Sequence, residues 1–322
     1  MLNHLDVLII GSGISGMTAG LESKKYYDNV LIIDKGIYSG GRICSKNLQN
    51  FYFNHGAPFI SRSKNWQTNS FWTILHKNSL ITKSTIRTTK NKSEEIYVVN
   101  PFMRSFCKQF AEKLNIKQKV RALDIIRDGK HYIVSDDDDN IYTTKKVVIS
   151  IPAPQASILI KNIAPEMSYE INKVQFSKCL TILFSLNNSI DFSSFPLFFE
   201  DETSEISILS NNKVLSNNQS NHHLVARMSN LWSNKYFDNN KEEIINKCLS
   251  NIYNKFPKLI NYKFNTTYCH KWKYSQVIRK LSPSISIVNK DRSIGIAGDW
   301  TRGSTIEDAF ISGKKVISNL IY

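Results

Sequence analysis

The first forty residues place a glycine-rich turn between two short apolar runs. The first run ends at Ile10 and leads into Gly11, Gly13 and Gly16, spaced as G-x-G-x-x-G. In a β-α-β unit the first glycine permits a tight turn, the second lets the backbone approach a pyrophosphate, and the third lets helix and strand pack closely. The pyrophosphate then lies at the helix N-terminus, near Ser15, where N–H groups and the dipole favour anions.

The second apolar run, Val30 to Asp34, supports this interpretation. Asp34 follows Gly11 by 23 positions, close to the spacing of about 20 residues that is expected of a carboxylate that binds ribose hydroxyls. Lys35 comes directly after it. A glycine-rich turn in an unrelated α/β protein is the alternative, but the strand, helix, strand and terminal aspartate together favour a dinucleotide site.

Composition limits the classes of partner. The 322 residues fit two domains of about 100–200 residues each, and a hydrophobic fraction of 41% supports a full core. The formal net charge of +15 is compatible with an anionic partner. The lysines are scattered without a block of like charges, so we expect no nucleic-acid partner, and a phosphate-bearing small substrate stays open.

Cysteine usage and hydropathy favour a reducing compartment. The five cysteines are widely spaced, without a C-x-x-C pair, which predicts neither a disulfide framework nor a zinc site. No apolar run approaches the roughly 18 residues of a membrane span. The first strand leaves no room for a signal peptide. We therefore expect a cytoplasmic protein with no metal and no membrane span.

Periodicity predicts further elements along the chain. We expect a helix over 101–114 with Pro101 at its first position, a helix over 241–254, and strands over 120–126, 147–151 and 181–186. Residues 132–135 and 141–144 predict a hairpin around a solvated turn of four aspartates. Residues 211–223 predict a surface loop with exposed His222 and His223. The chain ends in a predicted strand, 293–299, and a helix over 306–321 with Ser304 or Thr305 as N-cap.

Five segments resemble the flavoprotein amine oxidase superfamily, and within it the renalase-like oxidases. In chain order they are residues 11–16 with Asp34, Gly40-Gly41-Arg42, Asn54-His55-Gly56-Ala57, residues 147–155, and Gly298-Asp299 with the helix that follows. Residues 270–275, His-Lys-Trp-Lys-Tyr-Ser, are also similar to the His-Arg-Trp-Arg-Tyr-Ala stretch of bacterial renalase-like sequences. The match spans the chain.

This resemblance implies FAD as the cofactor, bound without a covalent link because no cysteine follows Cys269. It implies that the backbone of Val120 contacts adenine, that Arg42 offsets pyrophosphate charge, and that Asp299 accepts a hydrogen bond from a ribityl hydroxyl or meets the pyrophosphate region. The last helix would direct N–H groups at the flavin. The implied cofactor-binding residues are Gly11, Gly13, Ser15, Gly16, Asp34, Lys35, Gly41, Arg42, His55, Gly56, Ala57, Val120, Gly298, Asp299, Thr305 and Ile306.

The candidate catalytic residues are Trp272, Tyr274 and His55. In a strand, Trp272 and Tyr274 would share one face and Lys271 and Lys273 the other. An aromatic face beside the flavin would suit a planar substrate ring, and ordinary core packing is the alternative. His55 is a candidate base, although hydride transfer to a flavin requires no dedicated base.

The resulting fold prediction is α/β. A discontinuous Rossmann-like FAD-binding domain would comprise residues 1–57, 100–155 and 273–322. A second, mixed α+β substrate domain would comprise residues 58–99 and 156–272. The active site would lie over the flavin.

Resemblance to renalases implies oxidation of the 2- or 6-dihydro isomers of NAD(P)H to NAD(P)+. The flavin takes a hydride, and O2 reoxidises it and yields H2O2. Two alternatives stay open. One is a flavin amine oxidase or desaturase acting on an amine, amino acid or isoprenoid. The other is a non-catalytic binding protein of the FAD fold, as in the Rab GDP-dissociation inhibitors, against which the intact glycine fingerprint argues.

Overall fold

The chain folds into two compact units, each built from separate stretches of sequence. The computed structural model describes residues 4–48, 51–61, 70–77, 81–87, 93–186, 204–211, 223–262 and 264–322. The first unit comprises residues 1–43, 107–176 and 277–322, and the second comprises residues 44–106 and 177–276.

The described helices and strands are numbered in chain order. The helices are α1 (Ile14–Ser23), α2 (Ser70–Lys77), α3 (Arg104–Ala111), α4 (Ala153–Ile160), α5 (Pro165–Ile171), α6 (Asn230–Tyr236), α7 (Lys241–Lys255) and α8 (Ile306–Ile321). The strands are β1 (His4–Ile10), β2 (Val30–Asp34), β3 (Lys46–Leu48), β4 (Phe51–Phe53), β5 (Ile60–Ser61), β6 (Ile81–Arg87), β7 (Ser93–Val99), β8 (Ile116–Gln118), β9 (Ala122–Asp128), β10 (His131–Asp136), β11 (Ile141–Ile149), β12 (Gln175–Phe176), β13 (Cys179–Leu186), β14 (Ile206–Asn211), β15 (His223–Met228), β16 (Phe264–Trp272), β17 (Val277–Arg279) and β18 (Ile294–Ile296).

The first unit is organised around a largely parallel sheet. Its strand order is β8-β2-β1-β11-β10-β9, and β18 pairs with β11. Strands β8, β2, β1, β11 and β18 run parallel, whereas β10 is antiparallel to both β9 and β11. Val7, Leu8 and Ile9 of β1 are fully buried, as expected of a strand in the middle of a sheet that is covered on both faces.

The ends of the chain meet in this unit as the sequence predicts. The β-α-β unit over residues 4–34 is confirmed, and α8 spans the predicted residues 306–321. Thr305 is its N-cap: its hydroxyl accepts a hydrogen bond from the Asp308 amide, and the Asp308 carboxylate accepts one from the Thr305 amide. This reciprocal capping box fixes the start of the helix.

Some predicted boundaries are wrong. Helix α3 begins at Arg104, so Pro101 precedes it instead of occupying its first position. The predicted strands 141–144 and 147–151 are one strand, β11. It pairs with β10 over residues 141–144, with β1 over residues 143–149 and with β18 over residues 147–149, so the pairings overlap without a break. The short edge strand β8 has no apolar run and was not predicted.

The turn at the four aspartates is organised by its first member. Asp136 is buried, and its carboxylate accepts hydrogen bonds from the Asn140 amide and the Tyr142 hydroxyl. The next three aspartates are exposed, as predicted of a solvated turn. In the described residues, no cluster of three or more His, Cys, Asp or Glu side chains could hold a metal ion.

The second unit contains an antiparallel sheet with the order β14-β15-β13-β16. Helix α7 covers one face and buries Ile244, Cys248 and Ile252 against apolar side chains that include Leu180 and Phe184. Two smaller sheets, β3-β4 and β5-β7-β6, belong to the same unit.

The bounds of these units differ from the predicted domains in four places. Residues 44–57, 100–106 and 273–276 lie in the second unit, and residues 156–176 lie in the first. The latter assignment follows from packing, because α4 and α5 bury Ala156, Ile160 and Ile171 in the core of the parallel sheet. Which unit provides each cofactor or substrate contact stays a prediction.

The expected exposure of His223 is wrong. His223 begins β15, is only 2% exposed, and its ring lies 4.8 Å from that of Phe53. The apolar residues after His223 form a buried strand with it. The polar residues before His223 led the sequence pattern to predict a loop instead. His222 and the rest of the predicted loop, 212–222, lie outside the described residues.

Candidate functional site

The glycine turn of the first unit has no room for side chains at two of its three glycines. Gly11 has a φ of +105°, and a Cβ there would lie 2.5 Å from the Ser150 carbonyl oxygen. A Cβ on Gly16 would lie 1.9 Å from the Gly11 carbonyl oxygen. These positions therefore require glycine for the tight turn and the close helix–strand contact that the motif predicts.

Gly13 differs, because it faces open space. A Cβ at Gly13 would meet no atom within 4 Å, and Gly13 is the N-cap residue of α1. The backbone is thus accessible where the helix directs its first N–H groups, which is the arrangement that binds a pyrophosphate. Behind it, the hydroxyls of Ser15 and Ser150 are 2.7 Å apart and hydrogen-bonded.

Asp34 is held against the same turn. Its Oδ2 accepts hydrogen bonds from the Ser12 amide and the Ser12 hydroxyl, 2.5 Å and 2.7 Å away, and its Oδ1 accepts one from the Gly36 amide at 2.6 Å. A carboxylate has about four acceptor positions, so one is left for a ribose hydroxyl. Ser12 was not among the predicted residues, although it lies inside the fingerprint.

The Gly40–Arg42 segment lies beside the turn. Gly13 and Gly40 form an isolated β-bridge, and Gly41 has a left-handed φ of +55°. Arg42 Nη2 lies 2.5 Å from Asp299 Oδ1, and this ion pair joins two residues that the sequence predicts separately. The structure therefore brings together the Gly-Gly-Arg segment and the Gly298-Asp299 turn.

The last strand and helix complete this edge of the first unit. The Gly298 amide donates a hydrogen bond to the Ser312 hydroxyl, 3.0 Å away, which attaches the turn after β18 to α8. Gly313 then allows α8 to approach α1, since a Cβ at Gly313 would lie 2.3 Å from the Ser15 carbonyl oxygen. Thr305 and Ile306 lie at the start of α8.

The predicted residues of the first unit share one edge. They follow β1, β2, β8 and β18, whose carboxyl ends point the same way in a parallel sheet, where ligands of such folds bind. Val120 lies just beyond β8, and its amide donates to the Asp34 carbonyl. Lys35 is exposed at the end of β2. Which of these groups contact the cofactor stays a prediction.

In the second unit, the Asn54–Ala57 loop is held from two sides. The buried guanidinium of Arg227 donates to the carbonyl oxygens of both Asn54 and Gly56. The Trp272 indole N–H donates to the His55 carbonyl oxygen at 3.1 Å. The loop is therefore rigidly positioned. Arg227 was not predicted; a single arginine within the apolar strand β15 is the signal that could have identified it.

An aromatic ladder runs along one face of β16. The side chains of Tyr268, His270 and Trp272 alternate with those of the other face, and their successive ring centroids are 6.3 Å and 4.2 Å apart. All three are half-buried. The His55 ring lies at the Trp272 end of the ladder. Its centroid is 4.9 Å from that of the His270 ring and 5.5 Å from that of the Trp272 ring.

The electrostatic environment of the two histidines is cationic. Burial, followed by the charges of His270, Arg227 and Lys46, lowers the pKa of His55 to about 3. Burial, followed by the charges of Lys241 and Lys46, lowers the pKa of His270 to about 4. Both imidazoles are therefore neutral at physiological pH. Within the described residues, the largest contributions to both pKa shifts come from burial and from cations, and no carboxylate is among them.

Cys44 also contacts the His55 ring. Its sulfur lies 3.2 Å from His55 Nε2, and burial raises the pKa of the Cys44 thiol to about 12. The pair is thus a neutral thiol hydrogen-bonded to a neutral imidazole. His55 has the position of a hydrogen-bonding group, and its low pKa makes it a weak proton acceptor at neutral pH.

The predicted strand position of Tyr274 is wrong. Strand β16 ends at Trp272, so the two aromatic residues do not alternate on one strand. Lys271 lies on the opposite face, where its ammonium group donates to the carbonyl oxygens of Phe237 and Asn239, each 2.6 Å away. Lys271 therefore binds the chain just after α6.

Comparisons with known proteins agree with this geometry. The sequence model for an NAD(P)-binding Rossmann-like domain matches residues 9–75, and that for flavin containing amine oxidoreductases matches residues 78–319, most of the chain. The chain belongs to the flavin-containing amine oxidoreductase family. FAD is accordingly its cofactor, and it is an FAD-dependent oxidoreductase. The predicted α/β fold with a Rossmann-like domain is confirmed.

Solved structures show that this family member has a widely shared fold. A wild-type putrescine oxidase bound to putrescine superposes with a TM-score of 0.77 at 11% identity, over 99% of both chains. A protein assigned as a protoporphyrinogen oxidase from Exiguobacterium sp. 255-15 superposes with a TM-score of 0.71 at 11% identity, over 98% of both chains. Among the described helices, none is both long and apolar enough to cross a membrane.

Proposed function

We propose that this oxidoreductase oxidises the 2- or 6-dihydro isomers of NAD(P)H to NAD(P)+, as the renalase-like enzymes do. The observation that carries the proposal is the cationic aromatic ladder of the second unit. A dihydronicotinamide dinucleotide combines planar rings with a negatively charged pyrophosphate. Stacking rings and lysines suit both parts of such a ligand.

The same electrostatics disfavour a cationic amine. Lys46, Lys241 and Arg227 depress the pKa of the histidines on the ladder, and a protonated amine near these groups would experience the same repulsion. Aromatic rings can attract ammonium groups, and the family also includes amine oxidases. An amine, amino acid or isoprenoid substrate is therefore the competing proposal.

The roles proposed for the chain's residues follow from their contacts. Gly13 and α1 would hold the pyrophosphate of a non-covalently bound FAD, and Asp34 would bind its ribose. Arg42 would offset the pyrophosphate charge, and Asp299 would bind the ribityl chain or the pyrophosphate region. FAD supplies the hydride acceptor. Trp272 would stack on the substrate ring, with Tyr274 as a further aromatic contact.

His55 would position the substrate through hydrogen bonds without taking a proton. This role agrees with its low pKa, since a group with a pKa of about 3 is a weak base at neutral pH. Gly56 and Ala57 would present their backbone to the flavin.

The test is a steady-state assay on the flavin-loaded protein. We expect O2 consumption, with NAD(P)+ and H2O2 as products, when the 2- or 6-dihydro isomers are added, and no comparable rate with ordinary NADH. Turnover of an amine, amino acid or isoprenoid, without turnover of either isomer, would instead support the competing proposal.

A further inference from the structure

Two lysines flank one end of the aromatic ladder. Lys46 Nζ lies 4.8 Å from the centroid of the Tyr268 ring, and Lys241 Nζ lies 5.7 Å from the same centroid. Lys46 comes from β3 and Lys241 from the first turn of α7. Two separate elements thus bring an ammonium group to the same tyrosine.

Neither lysine is neutralised within the described residues. No carboxylate lies within ion-pair distance of Lys46 or Lys241 there, whereas Glu243 of the first turn of α7 pairs with Lys247 at 3.7 Å. Their charges reach along the ladder, because both lower the pKa of His270. An anion between these lysines would relieve this repulsion.

The position of Lys241 is unfavourable for its own helix. It occupies the first turn of α7, where the helix dipole disfavours a cation. Asn240 caps this end by accepting a hydrogen bond from the Glu243 amide at 2.9 Å, so the lysine is not needed there for capping. A role in binding an anion accounts for a cation at this position.

We propose that Lys46 and Lys241 bind the phosphate groups of a nucleotide substrate, with Tyr268 between them. This subsite rests on the proposed function, because it assumes that the same ladder binds the nicotinamide ring of the substrate. The nicotinamide lies at the His55 and Trp272 end, and the phosphates lie at the Tyr268 end.

The test compares substrates with and without phosphate on the flavin-loaded enzyme. We expect Lys46→Gln and Lys241→Gln each to raise KM for a 6-dihydro-NADH isomer roughly tenfold, the scale of one lost charge-assisted contact. The corresponding dihydronicotinamide riboside, which has no phosphate, should be oxidised equally well by all variants. Lys235→Gln is the matched control, since Lys235 also lies over a tyrosine ring, 5.2 Å from that of Tyr236.

A binding measurement separates the subsite from the reaction. Calorimetric titration of the flavin-loaded protein with NAD+ and with inorganic pyrophosphate should show binding that both glutamine variants weaken roughly tenfold. If the isomers are not oxidised but this lysine-dependent binding is found, the proposed reaction fails and the subsite stands. If the isomers are oxidised and neither lysine affects KM or binding, the subsite is overturned.

Discussion

Arg42 and Asp299 form an ion pair across 257 positions of sequence, with Nη2 2.5 Å from Oδ1. Asp299 is almost fully buried, whereas the Arg42 side chain is about one third exposed. The pair joins the glycine-rich loop after β2 to the turn after β18. Both ends of the chain thereby contribute to one edge of the parallel sheet.

A double-mutant cycle should show strong coupling between these two residues. In Arg42→Gln the buried carboxylate of Asp299 loses its counter-charge. We therefore expect a coupling free energy between Arg42→Gln and Asp299→Asn of about 1–3 kcal/mol, which is below the value for fully buried pairs. Arg127 and Asp291 are the control, because their separation is also 2.5 Å while both side chains are exposed. Urea unfolding measures both cycles. Equal coupling in the two pairs would contradict a role for burial.

Loss of either predicted carboxylate should lower the flavin content. Asp34→Ala removes the acceptor available for a ribose hydroxyl, and Asp299→Ala removes the buried partner of Arg42. We expect FAD to bind roughly tenfold more weakly in each, the scale of one hydrogen bond to a charged group. Flavin released per protein molecule measures this, and Asp291→Ala should match the unmodified protein. Full retention of flavin in both variants would show that the cofactor site is misplaced.

Two helical glycines should respond differently to alanine. In Gly313→Ala the new Cβ would lie 2.3 Å from the Ser15 carbonyl oxygen, which cannot move without shifting α1. We expect the free energy of unfolding to fall by about 1–3 kcal/mol and the flavin content to fall with it. In Gly20→Ala the Cβ meets only the side-chain ends of Ile32 and Leu114.

Those side chains can rotate, and alanine favours a helix by about 1 kcal/mol, so Gly20→Ala should be close to neutral. Urea unfolding and flavin content distinguish the two variants. A tolerated Gly313→Ala would argue against the close approach of α1 and α8.

Acid should destabilise the second unit through His55. The folded protein holds the pKa of His55 at about 3, whereas its ordinary value is 6.5. Between these values the unfolded chain binds more protons, so stability falls as the pH falls below 6.5 and is unaffected by this group above it.

The contribution of His55 is at most about 1.4 kcal/mol per pH unit. His55→Gln should therefore flatten the pH dependence of urea unfolding below pH 6.5, and His4→Gln, at an exposed position, should leave it unchanged. The same slope in His55→Gln and in the unmodified protein would show that burial does not neutralise this group.

Local patterns were sufficient to predict much of the first unit. The spacing of Gly11, Gly13 and Gly16 predicts a backbone geometry that few other residues allow. The N-cap at Thr305 can be predicted because it depends only on residues adjacent in the sequence. The pairing of Arg42 with Asp299 could not be predicted, because it depends on the tertiary fold.

The second unit was less predictable for the same reason. Its ladder forms where His55 meets a strand more than 200 positions later, and Arg227 binds the loop of His55 from a different strand. The pattern of alternation placed Trp272 and Tyr274 on one face, but it could not indicate that the strand ends at Trp272. Contacts between distant segments leave no periodic signal in the sequence.

We propose that a dihydronicotinamide isomer, and not an amine, reduces the bound flavin. Anaerobic stopped-flow mixing of the flavin-loaded protein with 6-dihydro-NADH, ordinary NADH and a panel of amines tests it directly through the visible flavin absorbance. We expect rapid bleaching by the isomer and slow or no bleaching by NADH and the amines. Rapid bleaching by an amine, with none by the isomer, would contradict it.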